Sequence, residues 1–282
     1  MSEFLPTTLE EIQQRGWEQI DFLFISGDAY VDHPSFGPAV ICRVLESKGY
    51  KVAMLSQPDW KAEKSLTALG KPRLGVLISG GNLDSMLCHY TAARKLRKKD
   101  NYTPGGIMGK RPDHATVVYS KLAKKVWPDL PVIIGGIEAS LRRFAHYDYW
   151  ENKLLPSILI ESGADLLIYG MGEKQVVEIA DYLAGGADIS TIQYVRGTSY
   201  VCDDLQNVTE QYVSLPSYES ILQDKKLLAN AYKLQSDEQD PFYGKIVIQQ
   251  FASRYVVQNQ ATYPLTEEEM DSIYDLPYCR TY

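Results

Sequence analysis

Cysteine is scarce in this chain of 282 residues, and the four present, Cys42, Cys88, Cys202 and Cys279, stand far apart with no Cys-x-x-Cys pair. Metal-ligand spacing is therefore missing, and a disulfide framework is not expected, which fits a reducing, cytoplasmic setting. Long apolar runs are missing too: none approaches the roughly 20 residues that span a bilayer. Residues 1–19 lack the basic-then-apolar order of a signal peptide, so no membrane partner is expected. Excess positive charge is also absent. A net charge of −7 argues against nucleic acid as a partner, because binding there rests on a basic surface that displaces counterions. Gly80-Gly81 is not followed by Gly-Lys-Ser/Thr, so there is no P-loop, and Ser79, Ser85 and Ser140 lack a Gly-x-Ser-x-Gly elbow.

What remains is an ordinary globular balance, 45% hydrophobic and 23% charged. Short apolar runs at 20–26, 51–57, 73–79, 131–134 and 165–169 read as strands. Between them lie helical patterns at 8–16, 40–49, 59–69, 86–97, 115–127, 155–162 and 174–183. Residues 98–113, with three glycines and two prolines, read as a long surface loop. The alternation predicts an α/β fold: a Rossmann-like parallel sheet over 1–188, helices on both faces. From 189 to 282 the character changes to a smaller α+β lobe or connector. It has a strand at 192–201, a helix at 217–235 capped by Ser217, β-type runs at 245–251 and 255–258, and a capping box at Thr266.

In parallel sheets of this kind, ligands bind outside the carboxyl ends of the strands. Unusual residues fall at that position after four of the strands: Asp28, Asp32 and His33; Gly80, Gly81, Asn82, Asp84 and Ser85; Gly135, Gly136, Glu138, Arg142, Arg143, His146 and Asp148; and Gly172 and Glu173. They are the candidate rim, either for a ligand or for a domain interface. The third group is the densest. Its arginines suit a phosphate or carboxylate, but its opposite charges equally suit an internal ion-pair network. Spacings of four between Glu138, Arg142 and His146 would align them on one helical face. The basic run 94–99 reads as a solvated helix end. His33 could sit beneath a corrin, but the order Asp32-His33-x-x-x-Gly37 is not the Asp-x-His-x-x-Gly of cobalamin domains. No catalytic residue and no metal ligand is assigned.

Several strings are specific: SGDAYVDHPSFG (26–37), SQPDW (56–60), GNLDSM (81–86), YTPGGIMGKRPD (102–113), GGIEASLRRFAHYDYW (135–150), YGMGE (169–173), RYVVQN (254–259) and PLTEEEMDSIYDLPYCR (264–280). In these the chain resembles the amino-terminal region of YgiQ-type radical SAM proteins along nearly its whole length. Gln260-Ala261 and Cys279 depart from that pattern. The resemblance implies a flavodoxin- or cobalamin-binding-like domain ahead of a radical SAM barrel. That barrel's Cys-x-x-x-Cys-x-x-Cys holds a [4Fe–4S] cluster, with one iron left for S-adenosylmethionine. This chain lacks the motif, so it is expected to hold no cofactor itself, with cobalamin kept as a possibility. It reads as the front part of a larger enzyme, a fragment or half of a split gene, inactive alone. The barrel is its expected partner, in cis or as a separate chain, with an unknown substrate. The other readings are a stand-alone cobalamin-, nucleotide- or anion-binding module, and a structural lid.

Replacing Arg142 and Arg143 together with alanine separates a ligand rim from an internal network. A rim loses ligand or partner binding with folding intact, whereas a network loses stability in a urea melt.

Overall fold

The computed structural model describes residues 3–281. Helix α1 (Leu9–Gln14) opens on a capping box between Thr8 and Glu11. It is followed by β1 (Phe22–Ser26), α2 (Gly37–Ser47), β2 (Val52–Ser56), β3 (Gly75–Ser79), α3 (Ser85–His89), α4 (Ala115–Val126), β4 (Val132–Gly135) and α5 (Gly136–Leu141). A small hairpin, β5 (His146–Asp148) and β6 (Lys153–Leu155), precedes α6 (Ile158–Ser162), β7 (Leu166–Ile168) and α7 (Glu173–Ala184). The remainder supplies β8 (Thr198–Cys202), β9 (Tyr212–Ser214), α8 (Tyr218–Gln223), α9 (Lys226–Asp237), β10 (Ile246–Phe251), β11 (Arg254–Gln258) and α10 (Glu267–Tyr274).

The main sheet runs β2-β1-β3-β4-β7-β8-β11-β10-β9. Its first five strands are parallel, in the order of a doubly wound fold that reverses between β1 and β3. The strands of the second part join the same sheet: β8 pairs antiparallel to β7, then β11 to β8 and β10 to β11, and β9 lies parallel to β10.

Successive strand residues point to opposite faces, and the core divides accordingly. Leu23, Ile25, Val76, Ile78, Val132 and Ile134 pack under α4 and α6, with Val117, Tyr119, Ala123 and Leu159. Phe22, Phe24, Leu77, Ile133, Leu166 and Ile168 pack under α2 and α7, with Val40, Val44, Val176 and Ile179. Both faces are covered, which is why the five parallel strands read as continuous apolar runs.

Several boundaries differ from the sequence reading. The helix expected over 86–97 stops at His89, because Nδ1 of His89 lies 2.5 Å from Asp113 Oδ1 and the Tyr90 hydroxyl donates to Asp113 Oδ2 at 2.8 Å. Tyr90 also packs its ring on Trp150, and the chain turns back with Arg94 in the left-handed region, φ 57°. The run 94–99 is thus an exposed loop, not a helix end. Residues 59–69 form only a 3-10 turn, Glu63–Leu69. Pro156 separates β6 from α6, and the helix expected over 217–235 breaks into α8 and α9 at Asp224-Lys225. The strand expected from 192 begins only after Gly197, whose φ of 73° needs glycine.

A buried polar seam ties the second part to the first. The Tyr169 hydroxyl donates to the Asn259 carbonyl at 2.5 Å. The Asn259 amide in turn donates to the carbonyls of Gln193 and Val195 and to the Thr198 hydroxyl. Gln249 accepts from the Ala145 N–H at 2.8 Å.

Candidate functional site

The four rim turns meet at the carboxyl ends of β1, β3, β4 and β7, and most of their charged groups face inward. Asp28, 1% exposed, accepts the Asn82 N–H at 2.7 Å and lies 2.6 Å from the Arg111 guanidinium. Burial pushes the Asp28 carboxyl above its usual range, against the opposing pull of Arg111. Arg111, also 1% exposed, donates to both carboxylate oxygens of Asp100 at 3.1 Å and to the Gly80 carbonyl at 2.8 Å. Loop 98–113 is thereby pinned to the first two rim turns.

The glycines follow from those carboxylates. A Cβ on Gly81, φ +112°, would stand 2.1 Å from Asp28 Oδ1, and one on Gly80 would stand 2.8 Å from Glu138 Oε2. Glu138 uses its two oxygens to accept the N–H groups of Ser85 and Thr116, each at 2.8 Å, joining the starts of α3 and α4. The Ser85 hydroxyl accepts from the Ala115 N–H at 3.1 Å. Asp84 caps α3 and pairs with Arg142.

Glu138, Arg142 and His146 do not share a helical face. Helix α5 ends at Leu141, Arg142 is its cap, and His146 begins a strand. Arg143 donates to Gln258 Oε1 at 2.6 Å and to the Ser140 carbonyl, with its guanidinium 4.9 Å from the Tyr169 ring centroid. Burial holds its pKa below the usual arginine range. His146 shares a 3.1 Å hydrogen bond through Nδ1 with the Phe144 carbonyl, and its Nε2 is buried without a partner. Asp148 accepts the Glu151 N–H at 2.7 Å. Both arginines therefore sit in internal contacts, and the double alanine replacement is expected to lower folding stability.

Asp32 is held by Arg43 and by the Cys279 N–H at 2.9 Å, and it forms an antiparallel bridge with Thr281. Burial raises its carboxyl, but the Arg43 and Cys279 hydrogen bonds outweigh that and hold it below its usual range. Half-buried His33 accepts the Ser35 N–H on Nδ1 at 3.1 Å. A corrin-ligating histidine needs a carboxylate to fix its ring, and here Asp32 is spent on Arg43, so these residues do not fit cobalamin. An iron–sulfur cluster fits no better. Among the described residues no group of three His, Cys, Asp or Glu could hold a metal ion, and the cysteines sit on separate elements.

What stays open is apolar. A cleft of 330 Å³ lies over β3, β4 and β7 between the starts of α2 and α7. Of the rim candidates it is lined by Gly81, Asn82, Gly135, Gly136, Gly172 and Glu173, with a floor of Phe24, Leu77, Ile133 and Ile168. At its mouth, Ile137, which is 45% exposed, and Met171, 53%, are among the lining residues; Leu87, 51% exposed, and Leu141, 61%, lie on the α3 and α5 turns that Glu138 and Arg142 lock together. Sequence reasoning missed Arg111, Asp100, Arg43 and Gln258. A lone arginine inside a Gly/Pro loop, GGIMGKRPD, was the available signal for the first.

Residues 4–282 match the family model described as Radical SAM N-terminal. A UPF0313 protein of Clostridium perfringens strain 13 is 53% identical over 281 residues, covering 100% of this chain and 42% of the relative. A UPF0313 protein of Clostridium botulinum strain ATCC 19397 is 51% identical over 280 residues, covering 99% of this chain and 43% of the relative. The chain thus spans less than half the length of these relatives.

Removing the positive charge from the first turn should be costly. Arg111→Leu leaves two buried carboxylates unpaired and is expected to lose about 3–5 kcal/mol in urea melts. His146 gives a pH dependence of definite sign. Burial, aided by the nearby Arg142 and His114 charges and opposed by its Phe144 hydrogen bond and Asp148, depresses its pKa to about 4. The unfolded chain then binds the proton first, so the stability it contributes is present above about pH 6.5 and is lost as pH falls toward 4. The urea midpoint of the native chain should fall across that window, and His146→Gln should flatten that part of the fall.

Proposed function

This chain belongs to the radical SAM N-terminal family, and on that premise we propose that it is the amino-terminal domain of a radical SAM enzyme. The doubly wound part, 1–188, presents its rim to the rest of the protein, and 189–282 is the connector that leads there. The barrel lies in cis, as the greater length of the UPF0313 relatives suggests. It would hold the [4Fe–4S] cluster and leave one iron for S-adenosylmethionine, in the cytoplasm. This chain supplies one wall of the substrate space and no ligand to the cluster.

The observation that carries this reading is the apolar lip on the rim. Leu87, Ile137, Leu141 and Met171 are exposed on neighbouring rim turns, where isolated monomers rarely leave large side chains grouped. At the same rim, residues 279–281 run back along the Asp32 turn: the Arg280 N–H donates to the Asp32 carbonyl at 2.7 Å, and the Asp32 N–H to the Thr281 carbonyl at 3.1 Å. Asp84 and Glu138 turn inward beneath that lip, which leaves exposed apolar side chains with Arg97 at the edge on the Leu87 carbonyl, a make-up that suits a protein partner.

Leu87→Asp with Leu141→Asp tests the reading. Both positions are exposed, so the 282-residue chain should keep its melting temperature. In the full-length protein the pair should speed protease release of the amino-terminal part about tenfold. Unchanged release would reject the rim as the interface.

A further inference from the structure

The cleft has a cause in the topology. The connections after β3 and β4 run through short helices, α3 and α5, and α4 packs under β3 and β4 on the opposite face. On the α2/α7 face, the carboxyl ends of these two strands are left without a helix of their own. Leu77 and Ile133 consequently form an open floor, with Val40 and Ile41 of α2 on one wall and Val176 of α7 on the other. Gly172 keeps the approach narrow: a Cβ there would meet Ile168 at 3.0 Å and Ile41 at 3.4 Å. The volume, 330 Å³, lies at the small-molecule end of the ordinary pocket range of about 300–1,000 Å³.

Among the described residues that line the cleft, one buried side-chain polar atom lacks a partner. Ser79 and Gly81 bond one another, and the Asn82 amide donates to the Ser35 carbonyl at 3.2 Å. Lys174 is turned to Glu269, 2.6 Å away on α10. Glu173 is the one ionisable residue among those lining the cleft; its Oε2 is closed off without a partner, and burial pushes its carboxyl above the usual range against a hydrogen bond from its own backbone N–H. It is the first residue of α7, where the helix dipole favours its ionised form and works against the desolvation that burial imposes. A ligand bringing a cationic donor to this carboxyl would favour its ion, whereas an anion would meet it unfavourably.

We propose that the cleft between α2 and α7 binds a compact, largely apolar molecule bearing an amine, with Glu173 as the acceptor of its ammonium group. The cleft shares Ile137 and Met171 with the apolar lip, but Glu173 lies outside the lip and the test below touches neither Leu87 nor Leu141.

Three probes with one aromatic body separate the charges: 2-phenylethylamine, 2-phenylethanol and 3-phenylpropionate, titrated into the chain by calorimetry. The amine is expected to bind at least tenfold more tightly than the other two. Glu173→Gln, which keeps the side chain's shape, should hold the native melting temperature and erase that preference while leaving the alcohol's weak binding. Equal binding of alcohol or propionate, a preference that survives Glu173→Gln, or failure of all three to saturate would overturn the proposal. None of these results bears on the protease test of the rim, so the two readings fail separately.

Discussion

A guanidinium with no access to water needs its charge answered on the spot, and Arg111 is answered by two carboxylates and a carbonyl. Asp28 comes from the turn after β1, Gly80 from the turn after β3, and Asp100 from the long loop. One side chain thereby fixes the relative positions of three segments that have little regular structure of their own. The glycines at 80 and 81 are a consequence of this packing, because the carboxylates of Asp28 and Glu138 occupy the space where a Cβ would stand. A Gly-Gly turn on a sheet rim usually suggests a cradle for a ligand. Here it is a cradle for the protein's own acids.

That inversion explains what could be read beforehand and what could not. The five parallel strands were legible because burial on both faces makes them apolar at every position, and Thr8, Ser217 and Thr266 announced their helices by capping chemistry. The strings DHPSFG and GGIEASLRR were long enough to carry the family. The buried partners of the arginines were not legible, since Arg111 meets Asp100 and Arg43 meets Asp32 across 11 residues, with irregular chain between. The overlong helix at 86–97 failed for a related reason: its composition allows a helix, but Asp113 and Trp150 hold His89 and Tyr90 in a different geometry. Among rim residues, the sequence marked the positions but not which way they point. Asp28, Asp84 and Glu138 turn inward, and Glu173 faces the cleft.

Two surfaces with different properties therefore share one rim. The cleft is narrow, walled by helices and carries a single unanswered carboxyl, features of selectivity for something small. The lip formed by α3 and α5 presents exposed apolar side chains with Arg97 at its edge, a make-up that suits a protein contact. The acids that might have confused the two are withdrawn beneath both, where they brace the turns that present them.

The bridge between Asp32 and Thr281 also sets an order of events. Asp32 and Arg43 are made early, yet the Cys279 N–H that completes their hydrogen bonding lies 247 positions further along. At ribosomal speeds of about 5–20 residues per second, that separation amounts to tens of seconds. Through that interval the turn after β1 has its ion pair but not its covering strand. Closing so long a loop carries an entropic cost that local contacts do not. Within this stretch the first rim turn is thus begun early and completed late, by a contact that spans almost the whole of it.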